Sequence, residues 1–401
     1  MRTLLTLACG WAVCTAVALG DWRQFRGNDV DSVAADAQPP EVLSADTLAW
    51  SADLPGRGLS SPIIIGDRVY VTASSGPSQE RLHVLCFAGE GGAQLWERQF
   101  WATGRTVTHE KTCVAAPTPC SDGQRIFATW SSNDVACLDL DGNLQWYRGL
   151  TWDYPNASNS LGMSSSPVVV GETLVVMAEC DDESFTTGLD VTTGESRWKI
   201  DRPRKANWTS PVILRGQSSD KDRVLVQSSE GIVAVDPGTG ETDWTYADGA
   251  STIPSSVVDG DVAYVPSHGI TAIRPGVSNP ETPEILWQEG SLAPATGSPV
   301  AYDGKLYLTN SAGALTCASQ TDGERLWQVR LQGPFSGSPV IAAGRAYIAS
   351  EKGVFQSVNL NGEKGEVISE HDLGETVLCT PSISGQAVYL RSDGHLWKFG
   401  K

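Results

Sequence analysis

Apolar positions in this chain come in short runs of four or five, separated by polar turns, and no stretch sustains a helical period. The clearest run recurs eight times: Arg68-Val69-Tyr70-Val71, Arg125-Ile126-Phe127-Ala128, Thr173-Leu174-Val175-Val176, Arg223-Val224-Leu225-Val226, Asp261-Val262-Ala263-Tyr264, Lys305-Leu306-Tyr307-Leu308, Arg345-Ala346-Tyr347-Ile348 and Gln386-Ala387-Val388-Tyr389. Runs this short, β-branched and aromatic, predict strands. Each follows a Ser-Pro-like strand start, at Pro62, Pro117, Pro167, Pro211, Ser255, Pro299, Pro339 and Pro381. The spacing of these starts is 55, 50, 44, 44, 44, 40 and 42 residues, so insertions concentrate in the first two copies. A repeat of this length built only from strands predicts an all-β chain, an eight-bladed β-propeller of four-stranded antiparallel blades.

Most copies close on a tryptophan: Trp96, Trp146, Trp198, Trp244, Trp287 and Trp327, with Ile368 in its place in the seventh. The eighth copy stops at Lys401 before reaching one, and an unmatched Trp50 precedes the first copy. This offset predicts that the N-terminal strand completes the last blade, which closes the ring and removes free sheet edges. Turns such as Asp190-Val191-Thr192-Thr193-Gly194 and Asp236-Pro237-Gly238-Thr239-Gly240 precede the tryptophans. Asp can cap its own backbone there and Gly accepts positive φ. The indole offers a flat apolar face for packing between blades.

Residues 1–20 are expected to be a signal peptide: Arg2, an apolar stretch from Leu4 to Ala18, and small residues Ala16-Val17-Ala18 before the cut. The stretch is too short for a membrane span. Residues 21–401 are then expected to form one propeller domain, monomeric, exported, and located in the periplasm or cell envelope. A formal net charge of −18 repels phosphate backbones, so no nucleic acid partner is expected. Seven cysteines follow the leader; Cys86, Cys137 and Cys317 share one repeat position with Gly188 and Ala234 and read as small packing residues. Cys113 and Cys120 are the one local pair that could close a loop. Scattered histidines and no metal-spaced cluster predict no metal site. Asp139-Leu140-Asp141-Gly142-Asn143 lacks the spacing of a calcium loop and reads as a turn. Zinc, nucleotide-phosphate and serine-hydrolase motifs are lacking.

The long insertions fall in loops of one propeller face, those between blades and those joining second and third strands. Two of them, 100–112 and 152–163, bring aromatics, cations and amides together, as a pocket needs. On this basis Trp101, Arg105, His109, Lys111, Asp153, Tyr154, Asn156 and Asn159 are expected to line a ligand site. Arg105 and Lys111 would hold an anionic group, and His109 would serve as a base or hydrogen-bond donor. The alternative is that these loops plug the channel.

The turn-plus-Trp repeats resemble the tryptophan-docking motif of the PQQ-like (pyrroloquinoline quinone) propeller superfamily, over the chain from about Trp22 to Lys401. That superfamily includes quinoprotein alcohol dehydrogenases and the outer-membrane assembly lipoprotein BamB, both eight-bladed. The opening Asp21-Trp22-Arg23-Gln24-Phe25-Arg26-Gly27 looks like the start of exported PQQ-like repeat proteins of planctomycetes. The dehydrogenase resemblance implies PQQ with Ca²⁺ held by Glu and Asn, an Asp base, a Trp floor and a disulfide between adjacent cysteines. This chain has no adjacent cysteine pair, and no matching Glu, Asn and Asp are placed. The expected function is therefore a non-catalytic exported binding or scaffold propeller, without cofactor, for an envelope protein or small anionic ligand. A PQQ-dependent alcohol dehydrogenase of the polyvinyl-alcohol type is the alternative.

Overall fold

The computed structural model describes residues 20–158, 160–216, 221–275 and 281–401. The expected leader, up to residue 19, and Asn159 lie outside the described residues. Among the described residues, strands pair into eight four-stranded antiparallel sheets, seven of them ordered as in the chain from channel to rim. Blades 1 to 7 start at Ile63, Cys120, Val168, Val212, Val257, Val300 and Val340. Blade 8 takes three strands from the C-terminus (Ser382–Ser384, Ala387–Arg391 and His395–Gly400) and its outer strand, Leu48–Asp53, from the N-terminus. The Trp50 offset thus meets its physical cause: the seam lies inside a sheet.

Burial explains why the pattern reads as it does. Inner and second strands have neighbours on both faces, so they are continuously apolar, as in Ile63–Ile65 and Arg68–Ser75. Outer strands face water on one side and alternate, as in Ser196–Asp201. Rim tryptophans dock on the following blade. The Nε1 of Trp50, Trp96, Trp146 and Trp198 donates to the carbonyls of Gly89, Leu140, Val191 and Pro237 at 2.9–3.1 Å. The same indoles lie on the turn glycines Gly92, Gly142, Gly194 and Gly240, all at positive φ, where a Cβ would stand 2.6–2.7 Å from the ring. Within blades 1, 2, 3 and 6 a small residue faces the indole: Cys86 opposite Trp96, Cys137 opposite Trp146, Gly188 opposite Trp198 and Cys317 opposite Trp327. The repeat cysteines are packing residues. Cys113 and Cys120, the local pair that could have closed a loop, are not bridged. Cys113 packs with the loop residues Val114 and Ala115, and Cys120 on the inner strand of blade 2 with Phe127 and Leu174, so the two thiols belong to different clusters.

The segment 21–38 crosses the channel. Trp22 bridges to Ile64, the Arg23 carbonyl accepts from Ser121, Gln24 Oε1 accepts from Val169 at 3.3 Å, and Val33 bridges to Ile341. Gln38 donates to the carbonyl of Gly385 in blade 8. Arg26 is fully buried and donates to the carbonyls of Ser256 (2.8 Å) and Pro299 (2.7 Å), tying blades 5 and 6. Arg26, Gly27, Val30 and Ser32 all take positive φ. For β-branched Val30 that is a strained conformation, held by its docking into the channel.

Candidate functional site

Residues preceding each inner strand point into the channel, and the repeat register decides which. Counting back from each strand start, one layer consists of Thr118, Ser166, Ser210, Ser255, Ser298, Ser338 and Thr380, with Ser61 at the equivalent place in blade 1. Two residues earlier, on the same side of an extended chain, stand Leu59, Ala116, Ser164, Trp208, Ile253, Thr296, Ser336 and Leu378. All eight of this upper collar, and seven of the eight hydroxyls, line one cavity of about 420 Å³. Phe25 lines it too. The crossing segment meets Ile64, Ser121, Val169 and Ile341, each three residues beyond the hydroxyl of its own blade, or about 10 Å deeper. The cavity is therefore a cup open at one face and floored by the N-terminal segment.

The hydroxyls form a hydrogen-bonded crown. The N–H of Ser61 donates to Thr118 Oγ1 at 2.9 Å, and Thr118 donates in the same way to Ser166 Oγ at 3.0 Å. The chain continues from Ser166 to Ser210, Ser255, Ser298, Ser338 and Thr380 at 2.9–3.0 Å. Each of the seven accepting hydroxyls is at least 96 % buried, and among the described residues none donates its own proton to a protein acceptor. A serine hydroxyl carries one donor and two acceptor sites, so seven O–H donors remain free for whatever fills the cup.

Two buried guanidinium groups stand behind this layer with no carboxylate ion pair among the described residues. Arg26 is bonded to the carbonyls next to Ser255 and Ser298, and burial lowers its pKa to about 10. Arg391 donates to Ser60 Oγ (3.1 Å) and to the Thr72 carbonyl, while its Nη2 is buried with no partner. Burial lowers its pKa as well. The acid nearest Arg26, Asp31, is pushed up to about 6 by burial.

Of the residues the sequence put forward, His109 and Lys111 reach the cup rim. Lys111 pairs with Glu351 at 3.1 Å across the mouth, and Ser336 Oγ donates to the same carboxylate at 2.9 Å. His109 Nδ1 accepts from the Lys111 N–H, and Arg57 holds the loop by donating to the carbonyls of Glu110 and Thr112. Trp101 ends an outer strand, 66 % exposed, with Arg81 over its ring. Arg105 is exposed and has no ion pair or side-chain hydrogen bond among the described residues. Asp153 pairs with Arg148. Tyr154 packs on Phe185 at 4.4 Å, and the Asn156 N–H donates to Glu183 at 3.4 Å. These last three belong to a lobe that covers blade 3, through Ala157, Met163, Ala178, Cys180 and Phe185. The sequence reading missed the crown, Trp208, Glu351 and Phe25. The signal was present as the residue two before each Ser-Pro-like hydroxyl.

Other chemistry lies outside the cup. Ser75 Oγ, His83 and Glu97 are linked at 2.7 and 2.6 Å across blade 1, but Ser75 does not line the cup and the trio ties three strands together. Burial pushes the thiols of Cys86 and Cys137 up to about 12 and of Cys113, Cys317 and Cys379 to about 11, so these thiols stay protonated at neutral pH. Glu179 is fully buried between blades 3 and 4. It accepts from Arg202 (2.7 Å), Asn207 (2.9 Å) and Thr186 (3.3 Å). Among the described residues no cluster of three or more His, Cys, Asp and Glu has metal-holding geometry, and no helix is long and apolar enough to cross a membrane.

An eight-bladed ring with rim tryptophans docked on glycine turns defines a PQQ-like β-propeller. The chain belongs to the family of the outer membrane protein assembly factor BamB, whose profile matches residues 31–179 and 276–368. BamB from Moraxella catarrhalis has the same fold, with a TM-score of 0.62 at 18 % identity over 88 % of this chain and 97 % of that one. So does the quinohemoprotein alcohol dehydrogenase of Comamonas testosteroni, at 0.69 and 15 % identity over 95 % of this chain and 80 % of that one. A polyvinylalcohol dehydrogenase of Sphingopyxis is 24 % identical over 58 % of this chain, which spans 40 % of that protein's length.

Proposed function

We propose that the chain is an exported, non-catalytic binding propeller that takes a small ligand into the cup at the mouth of its channel. One observation carries this reading: every blade contributes a residue to a single cup closed at its far end. Its volume falls in the range of small-molecule sites, roughly 300–1,000 Å³. A partner protein of the envelope would approach the same face, as the kinship with an assembly factor suggests. Export rests on the apolar leader at the N-terminus.

The residues present do not fit a quinone with calcium. The buried carboxylate between blades 3 and 4, Glu179, is already engaged by Arg202, Asn207 and Thr186. Among the described residues the one carboxylate lining the cup, Glu351, is bound to Lys111 and Ser336. Among the described residues no carboxylate of the lining is left unengaged to act as base or metal ligand. Thermal unfolding with PQQ plus Ca²⁺ tests the distinction. The binding reading predicts no saturable shift. A stabilisation of about 2.7 kcal/mol at a hundredfold over the dissociation constant would instead establish a quinone site.

A further inference from the structure

We infer that the cup is a site for a small organic monocarboxylate, with its anionic head in the hydroxyl crown and its apolar body against the collar. This rests on the cup being the ligand site. The first argument is donor count. Seven buried hydroxyls, from Thr118 round to Thr380, accept a backbone N–H and keep their own proton unused among the described residues. Buried donors seek acceptors, and their placement around one axis offers them to a single group. The crown has no carboxylate of its own, so an oxygen-rich ligand head meets hydroxyl donors and no competing anion.

The second argument is charge. Arg26 lies under the crown, bonded to the carbonyls of Ser256 and Pro299, and Arg391 lies behind the wall next to Cys379, which lines the cup. Neither has a carboxylate within ion-pair distance among the described residues. Two buried cations with no such counter-ion set a positive potential in a low-dielectric pocket. The rim carboxylate, Glu351, is paired with Lys111, and the acids that interact with the two guanidinium groups, Asp31 and Asp393, do so beyond ion-pair distance. A cationic head is thus opposed, and a neutral one gains only the hydroxyl bonds.

The third argument is shape. Above the crown the collar presents Leu59, Trp208, Ile253 and Leu378, with Leu161 beside them; Phe25 closes the floor. Trp208 is fixed by its Nε1 donating to the Gly162 carbonyl at 2.8 Å. An aryl or short alkyl body fits this surround, whereas a polyol or inorganic anion would leave it bare.

The test titrates the purified protein with 3-phenylpropionate, 3-phenylpropanol and 3-phenylpropylamine, read by calorimetry and by Trp208 fluorescence referenced to Trp208→Phe. Saturable binding of the acid is expected, with the alcohol at least tenfold weaker and the amine weaker still. Ser255→Thr with Ser298→Thr keeps the hydroxyls that accept the backbone N–H groups but narrows the crown; affinity for the acid should fall at least tenfold at an unchanged unfolding midpoint. Equal binding of acid and alcohol, both lost in Thr296→Trp, would overturn the carboxylate assignment and leave the cup as a ligand site. Acid binding insensitive to the crown variant but lost in Lys111→Ala would place the head at the rim and also overturn it. Failure of all three compounds would reject this ligand class, while the retention measurement that closes the Discussion tests the cup separately.

Discussion

Replacing Trp50 with alanine is expected to lower stability by about 3–5 kcal/mol, the range for a large buried aromatic. Trp50 is 9 % exposed and supplies the seam. Its strand completes blade 8, its ring packs at 6.2 Å from Tyr389 and lies on Gly92 of blade 1, and its Nε1 bonds the Gly89 carbonyl. Loss of an equivalent indole within the ring, such as Trp198, removes similar area but leaves both neighbouring sheets covalently continuous. At the seam the outer strand is held to blade 8 by strand pairing and docking alone. The substitution should therefore also expose the edge of His395–Gly400, which invites aggregation. Denaturant unfolding of Trp50→Ala beside Trp198→Ala checks this. Equal losses with no aggregation from the seam variant would show that closure adds nothing beyond packing.

Arg202→Met should cost about 3–5 kcal/mol at pH 8, because it leaves Glu179 charged and buried without its cation. The pair lies between blades 3 and 4 with side chains 4 % and 0 % exposed. Burial already raises the Glu179 pKa, and Arg202 opposes that rise. Removing the guanidinium raises it further. A folded-state carboxyl with a raised pKa is penalised above its unfolded value, increasingly as pH climbs through the folded value. The loss should hence be greatest at pH 8 and shrink on acidification as Glu179 takes up a proton. Glu179→Leu with Arg202→Met should recover most of the stability, since an apolar pair of similar size removes both desolvation costs. A loss independent of pH between 5 and 8, or a double variant no better than the single, would contradict a charge-based origin.

The strands and their closure were legible because they rest on local repetition. Eight apolar runs, small residues opposite indoles, and one displaced tryptophan carry the architecture without knowledge of distant contacts. The cup was not legible in the same way. Its collar keeps a position and not a residue type, from Ala116 to Trp208, so it emerges only when the ring brings the eight copies around one axis. Long loops drew the site expectation toward Tyr154 and Asn156, yet length there serves to cover blade 3 with a small apolar cluster. The opening Trp22-Arg23-Gln24-Phe25-Arg26-Gly27 is legible as a motif. Its role as channel floor depends on Arg26 bonds to carbonyls 230 and 273 residues away, which no local pattern encodes.

The most direct test of the cup is native mass spectrometry of the exported protein purified without exogenous ligand, beside Thr296→Trp. Thr296 is exposed at the mouth, so the added indole fills the opening without disturbing a packed layer. The account predicts one small molecule retained per wild-type chain and none in the variant. A wild type free of any bound molecule, or one that keeps the same molecule when the mouth is filled, would contradict the cup as the functional site.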